Sequence, residues 1–273
     1  MPQAREISII ITTYNNPEYL KRVLGCFFKQ ILNPFEIIIA DDGSTGDTRA
    51  LVADFASRSP FEIIHVWHED MGFRAAKIRN EALKVCRGQY VILLDGDCLV
   101  DRHFVSDHQR LAERGFFFQG KRVLIDRVMS QTIDEKVINS KRFDLFISAL
   151  KGHIKNSHHL IRMPLIPAIR NRLLKGTRSC NLGGFVDDFF AVNGFDERFI
   201  GWGYEDSEFV SRLFKYGLKR KEHPFMAVCY HLWHEQSKKD NEQNLALLRS
   251  SIDEGGYYSR FGIKKVNSAE DTK

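Results

Sequence analysis

No stretch of the 273-residue sequence approaches the ~18–20 consecutive apolar residues that a membrane-spanning helix requires. The opening, MPQAREISII, lacks an apolar signal-peptide segment with a cleavage site. A cytoplasmic location is expected. Cysteine is sparse and unpatterned: Cys26, Cys86, Cys98, Cys180 and Cys229 are odd in number and show no CxxC spacing. They read as reduced core thiols and argue against a zinc site. There is no internal repeat. Acids nearly vanish between residues 136 and 178. There Asp144 alone faces Lys136, Lys141, Arg142, Lys151, Lys155, Arg162, Arg170, Arg172, Lys175 and Arg178. This block reads either as a solvated basic face or as a surface for something anionic, such as phosphorylated lipid or glycan. No nucleic-acid-binding motif accompanies the charge, so nucleic acid is not an expected partner.

What is present suits a globular protein with a substantial core. Apolar residues make up 43%, enough for one large α/β domain or two small ones. Apolar runs at Glu6–Thr13, Phe35–Ala40, Phe61–Trp67 and Tyr90–Leu94 predict buried strands. Helical spacing at Pro17–Gln30, Asp47–Ser57 and Ala75–Cys86 alternates with them. Such alternation argues a mostly parallel, doubly wound sheet flanked by helices. Further on, a helix is expected over Val105–Arg114 and one strand over Phe116–Ile125. Residues 128–178 are expected to be helical or irregular. A strand is expected near Phe189–Val192, then a helix over Asp206–Tyr216, a strand over Phe225–Tyr230 and a helix over Asn241–Asp253.

Four groups carry chemistry. Asp95-Gly96-Asp97 closes the fourth strand, and Asp41-Asp42 closes the second. Two carboxylates at a strand end are costly without a cation, and Mg²⁺ commonly joins one or two carboxylates to phosphates. A turn of solvated acids is the alternative. Arg74, Lys77 and Arg79 open a helix, against the dipole preference for acids there. An anionic ligand explains them, and an ordinary surface helix start also accounts for them. Trp202 stands between Gly201 and Gly203, followed by Glu205 and Asp206. These acids read as helix caps or as groups that bind an acceptor hydroxyl and take its proton. Last, His231 and His234 come after a predicted strand, where an imidazole can complete a metal sphere begun by Asp97.

In this order the groups resemble nucleotide-diphospho-sugar glycosyltransferases of the GT-A fold, in the large family 2. The resemblance rests on Ile9–Asn15, Ile37–Ser44, Gly88–Asp97 and Phe73–Lys77. It is narrowed by Val192–Asp196 and Gly201–Asp206, which are similar to the WGxED segment of β-1,4-galactosyltransferases and bacterial chondroitin-polymerase-type enzymes. It covers about residues 1–126 and 178–240. The basic block has no placed counterpart.

The resemblance implies a single Rossmann-like GT-A domain over 1–265. It would comprise a nucleotide-binding half (1–126), a basic helical insert (128–178) and an acceptor and metal half (179–265), with a loose tail at 266–273. It implies a nucleotide-sugar site from Thr12, Tyr14, Asp42, Phe73, Arg74, Lys77, Arg79, Asp95, Gly96, Trp202 and Gly203. Thr12 and Tyr14 would line a uracil pocket, Asp42 would hold the base and Asp95 the ribose. Asp97 would bind Mn²⁺ or Mg²⁺. His234 is favoured as second ligand because Lys239-Asp240-Asn241-Glu242 resembles the segment after the family's metal histidine, and His231 is its rival. Asp206 would be the base of an inverting transfer from a UDP-sugar to a glycan or glycolipid hydroxyl, with Glu205 and Trp202 positioning the two sugars. Lipopolysaccharide or capsule assembly at the inner membrane face suits the basic block. Two readings compete: a nucleotidyltransferase, and a non-catalytic sugar-nucleotide or glycan-binding module on a transferase scaffold. The first would place a Gly-rich, basic loop where Tyr14-Asn15-Asn16-Pro17 stands. The second sits poorly with Asp97, Glu205, Asp206 and both histidines all being present.

Overall fold

The computed structural model describes residues 6–140, 142–235 and 241–265, with the side chain of Arg142 left aside. The tail expected at 266–273, and Lys239 and Asp240, lie outside the described residues. The first half runs β1 (Ile7–Thr13), α1 (Pro17–Phe27), β2 (Glu36–Asp41), α2 (Gly46–Arg58), β3 (Glu62–Trp67), α3 (Ala75–Val85), β4 (Tyr90–Asp95), β5 (Cys98–Val100) and α4 (Phe104–Leu111). It continues with β6 (Phe116–Gln119), β7 (Arg122–Ile125), α5 (Glu135–Ser140), α6 (Arg142–Leu150), β8 (Ile154–Lys155), β9 (Ile169–Asn171) and β10 (Asn181–Phe185). The last elements are α7 (Val186–Ala191), α8 (Glu205–Tyr216), β11 (Lys219–Glu222), β12 (Cys229–His231) and α9 (Glu242–Asp253).

β1, β2 and β4 read as unbroken apolar runs because both faces of their sheet are covered. Ile9, Ile11, Ile37 and Ile39 pack with Leu20 and Val23 of α1 and Val52 and Phe55 of α2. The intervening Ile10 and Ile38 pack on the other face with Ile78 of α3, Phe189 of α7 and Phe209 of α8. Each such side chain, fully buried, is worth roughly 1.5–3 kcal/mol. The strand order is β3-β2-β1-β4-β10-β6-β11-β9. β1 to β4 are parallel neighbours and β11 pairs parallel with β6, while β10 runs antiparallel to both β4 and β6 and β9 antiparallel to β11, so the sheet is mostly parallel, as expected, but not purely so. A second sheet, β5-β12-β7-β8, stands beside it.

Three expected elements differ. Phe116–Ile125 is not one strand: β6 joins the large sheet and β7 the small one. The chain divides at Gly120, whose N–H donates to the Asn181 carbonyl at 2.9 Å. A Cβ at 120 would lie 2.1 Å from the Asn181 amide, so close approach requires glycine there. The strand expected near Phe189–Val192 is helix α7, and the strand lies upstream at β10. Its Gly183 and Gly184 hide a strand from propensity reasoning. Packing demands them, since Cβ atoms there would strike the Tyr90 hydroxyl at 2.3 Å and the Phe189 ring at 2.4 Å. The strand expected over Phe225–Tyr230 shrinks to β12, because buried Ala227 sits at φ 50°. Residues 128–178 supply α5 and α6, but also β8 of the small sheet and β9 of the large one. The stretch 160–175 contains no α-helix.

Asn193 makes several of the bonds that tie down the last described segment, beside those from Val192 and Glu197. Asn193, at φ 63°, donates to the Ser259 and Lys264 carbonyls at 2.6 and 2.8 Å. It also accepts the Lys264 N–H at 2.8 Å. Asn tolerates this left-handed backbone better than most residues. Asn193→Ala leaves these groups without partners and is expected to cost about 2–3 kcal/mol in urea unfolding. Faster proteolytic nicking between 255 and 265 should accompany the loss.

Candidate active site

The parallel strands deliver their C-terminal ends to one edge, where open α/β sheets bind ligands. Asp41 and Asp42 arrive there already engaged. Asp41 accepts from the Ser44 N–H at 2.8 Å and lies 2.9 Å from His65 Nε2. Burial alone would raise its carboxyl, but these partners hold it below the ordinary range. Asp42 meets His68 Nε2 at 2.6 Å and accepts the Arg74 N–H at 2.8 Å. Burial still pushes its carboxyl up. Asp42 therefore braces the turn before α3, and Asp41 ties the turn after β2 to β3. Exposed Tyr14 donates to Asp70 at 2.9 Å, and Trp67 donates to the Ser44 carbonyl at 3.0 Å. Phe73 is half-exposed at the rim, while the Arg74 side chain turns to Met71 and the Glu69 carbonyl. Half-buried Lys77 makes no ion pair among the described residues.

Arg79 is the hub. Only 4% exposed, it donates to Thr12 Oγ1 at 3.1 Å, to Glu205 Oε1 at 3.1 Å and to Asp95 Oδ1 at 3.3 Å. Its guanidinium also lies 5.5 Å from the Phe195 ring centre. One cation thus ties the ends of β1 and β4 to the start of α8. Burial pushes the Asp95 carboxyl up against the pull of Arg79, with the charges of Asp97 and Glu205 adding to the rise. Asp206 comes directly after Glu205, and its Oδ1 accepts the Ser207 N–H at 2.7 Å. Burial, then the neighbouring Glu205 charge, push its carboxyl to about 7. A carboxyl titrating there takes and gives protons near neutrality.

The loop before α8 is pinned. Gly201, Gly203 and Tyr204 all adopt positive φ, at 79°, 107° and 72°. The Gly201 N–H donates to the Phe73 carbonyl at 2.9 Å. Asn244 of α9 donates to the Ile200 and Gly203 carbonyls at 3.2 and 3.0 Å, and Asn241 to Ile200 at 3.1 Å. Trp202 is presented at the surface, 39% exposed.

Asp97 leads into β5, which pairs antiparallel with β12 so that Cys98 faces His231 across the ladder. The Leu232 N–H donates to the Asp97 carbonyl at 2.9 Å and carries the pairing one step further. Asp97 Oδ2 lies 3.2 Å from His234 Nε2 and 3.7 Å from His231 Nε2. Residues distant in sequence thus form one carboxylate–imidazole cluster. Its donors fit a divalent ion of the manganese type, which accepts both oxygen and imidazole ligands. The two histidines stand 5.2 Å apart, centre to centre, so neither is displaced by the other.

The structure therefore brings together Thr12, Arg79, Asp95, Glu205 and Asp206, and beside them Asp97, His231 and His234. It does not aim the Arg74 guanidinium at them. Sequence reasoning missed His65, His68, Asp70, Asn241 and Asn244 as supports. Only the two histidines carried a local signal, being placed at and just past the end of β3.

Arg79→Met strands two carboxylates at once. It is expected to cost about 3 kcal/mol in urea unfolding and to weaken nucleotide binding. Arg79→Lys should recover only part of each, because a single ammonium cannot span three acceptors.

The chain is similar to known proteins. The family model of glycosyl transferase family 2 matches residues 8–177, and that of the N-terminal domain of galactosyltransferase matches residues 171–235. The chain is 28% identical over 240 residues to hyaluronan synthase of Pasteurella multocida, covering 77% of this chain and 23% of that protein. It is 27% identical over 264 residues to chondroitin synthase of Escherichia coli, covering 88% and 36%. The crystal structure of S. aureus TarS 1-349 in complex with UDP superposes with a TM-score of 0.63 at 15% identity, covering 92% of this chain and 65% of that one. The chain thus spans less than two thirds of the length of these relatives.

Proposed function

The chain belongs to glycosyl transferase family 2, and from that premise we propose that it moves a sugar from a nucleotide sugar, with uridine diphosphate as the carrier, to a hydroxyl of a glycan or glycolipid. The observation that carries this reading is a line of charge. It runs from Asp206 and Glu205 through Arg79 to Asp95, and from Asp95 to Asp97. A proton acceptor and a diphosphate-binding centre then share one edge. TarS, a solved structure of the same fold, is seen in complex with UDP.

In this mechanism Asp206 takes the proton of the acceptor hydroxyl while that oxygen attacks the anomeric carbon. The carbon–oxygen bond to the diphosphate breaks on the opposite face, so configuration inverts. Arg79 is saturated by Thr12, Glu205 and Asp95. Among the described residues, that leaves Lys77 as the unpaired cation at this helix start to meet the diphosphate. Asp97 with His231 and His234 would hold Mn²⁺ or Mg²⁺, whose charge supports the departing diphosphate. Trp202 and Glu205 position the sugars.

Asp206→Asn is expected to lower transfer by about 10²–10⁴-fold while leaving Mn²⁺-dependent UDP binding unchanged by calorimetry. Near-normal turnover would remove Asp206 from the role. The carboxyl must be ionised to accept a proton, and its value of about 7 places the loss on the acid side. Transfer should therefore fall tenfold per pH unit below about 7 and level off above it. The same shift destabilises the folded chain as pH rises from the ordinary 3.8 to about 7. Asp206→Asn should accordingly melt higher than the parent at pH 8 and alike at pH 3.5.

The basic block adds a location. Arg162 and Arg170 are neutralised by Asp107 and Glu113, but Lys136, Lys151 and Lys155 make no ion pair among the described residues. α6 carries Phe143, Phe146 and Leu150 at helical spacing on one outward face, 75%, 39% and 85% exposed. Apolar anchors rimmed by cations suit an anionic bilayer surface, as lipopolysaccharide or capsule assembly would need. Sedimentation with anionic vesicles but not neutral ones is expected, and Phe143→Glu with Leu150→Glu should abolish it. Equal partition to both vesicle types would end the membrane reading.

A further inference from the structure

We infer that the cluster at the β5–β12 edge has a thiol face, Cys98, and that Asp97, Cys98 and His231 together hold a thiophilic divalent cation of the zinc, cadmium or cobalt class. This rests on the reading of Asp97 and a histidine as a metal centre, and adds a ligand that the transferase mechanism does not use.

One ligand atom from each of Asp97, Cys98 and His231 lies within 4.8 Å of the other two. The backbone enforces that approach. Cys98 and His231 are direct partners in the antiparallel ladder, and side chains in that relation share a face with Cβ atoms ~4.5–5.5 Å apart. The Cys98 thiol donates to Asp97 Oδ1 at 3.4 Å, while Asp97 Oδ2 is the oxygen nearest both imidazoles. The thiol is therefore beside the carboxylate that begins the metal sphere. Behind it lie the Cys180 and Cys229 thiols, so this side of the centre is lined with sulfur rather than hydrocarbon. All of these thiols are free.

The donor set has a chemical consequence. Carboxylate and water suit magnesium and manganese, whereas thiolate and imidazole select zinc-like ions. Asp97, Cys98 and His231 offer one oxygen, one sulfur and one nitrogen, the three protein ligands of a zinc site that keeps its fourth position open. On binding, Cys98 releases its proton to solvent, and a sulfur–metal bond replaces the S–H contact to Asp97. A zinc-class ion held so would compete with manganese for Asp97 and His231, the thiolate tipping the balance toward the softer ion.

The test uses the full chain, reduced, with Co²⁺ alone and no nucleotide. Cobalt reports its site twice, by visible d–d absorption and by a near-ultraviolet sulfur-to-cobalt charge-transfer band. The wild type is expected to show both, and Asp97→Ala neither. Cys98→Ala should keep the d–d absorption and lose the charge-transfer band. Cys98→Ser, which preserves size and a hydrogen-bond donor, should do the same, and Cys229→Ala should keep both signals. Displacement of Mn²⁺ by Zn²⁺, tracked by the manganese resonance, should need at least about tenfold more Zn²⁺ in Cys98→Ala. A wild-type d–d spectrum without charge transfer, or a charge-transfer band that survives in Cys98→Ser, overturns the thiol ligand and leaves the Asp97–histidine centre standing. Failure of the wild type to take up cobalt overturns both.

Discussion

A buried guanidinium is expensive unless every direction it points in is answered. Arg79 meets that condition with a threonine hydroxyl, an aspartate at a strand end and a glutamate at a helix start. Those partners come from three elements that are distant in sequence. Satisfying one charge therefore registers the first half of the chain against the second. It also separates the roles of the acids around it. Glu205 is paired with the cation, while Asp206, next along the chain, meets no cation directly among the described residues and accepts only from the N–H and hydroxyl of Ser207 in solvent-poor surroundings. Two adjacent carboxyls thus end in different surroundings, one held in an ion pair and one whose proton affinity burial raises.

The small sheet contributes the imidazoles. Strand ends of the large sheet present aspartates at one edge, and in the proposed function Asp97 needs further ligands to complete a metal sphere. β12 brings His231 and His234 to Asp97 by pairing with β5. The two sheets are joined at Asn181. This buried amide donates to the Ala227 carbonyl, accepts from His108 and closes against Gly120, where the chain crosses from β6 to β7. Catalytic geometry at one edge thus depends on a joint with no catalytic atom in it.

Much of the fold was legible in the sequence, and the reason is local. β1, β2 and β4 are dense in β-branched residues and end in acids, because both faces of a covered sheet demand apolar side chains while its ligand-facing edge does not. The strand–helix rhythm up to residue 95 is a direct consequence. Legibility failed where tertiary contact overrides propensity. Gly183 and Gly184 look like breakers and yet occupy a central strand, since Tyr90 and Phe189 leave no room for a Cβ. Phe189–Val192 looks like a strand and is a helix, because β10 has already filled that place in the sheet. The supports of the site were hidden for a similar reason. Asn241 and Asn244 hold the loop around Trp202 through backbone carbonyls, and a carbonyl leaves no signature in sequence.

The sequence by itself determined which chemistry this protein can assemble: paired acids at strand ends, cations opening a helix, an aromatic between glycines, two late histidines. Side-chain type and spacing within one element are properties of the chain, and local physics reads them. Only the tertiary structure decided which of these groups meet. It turned Arg79 inward while the Arg74 side chain lies along its own loop, set both histidines beside Asp97, and gathered three scattered cysteines behind it. Such meetings are settled by strand register and by the cost of leaving buried charge unpaired, and those are sums over the whole fold.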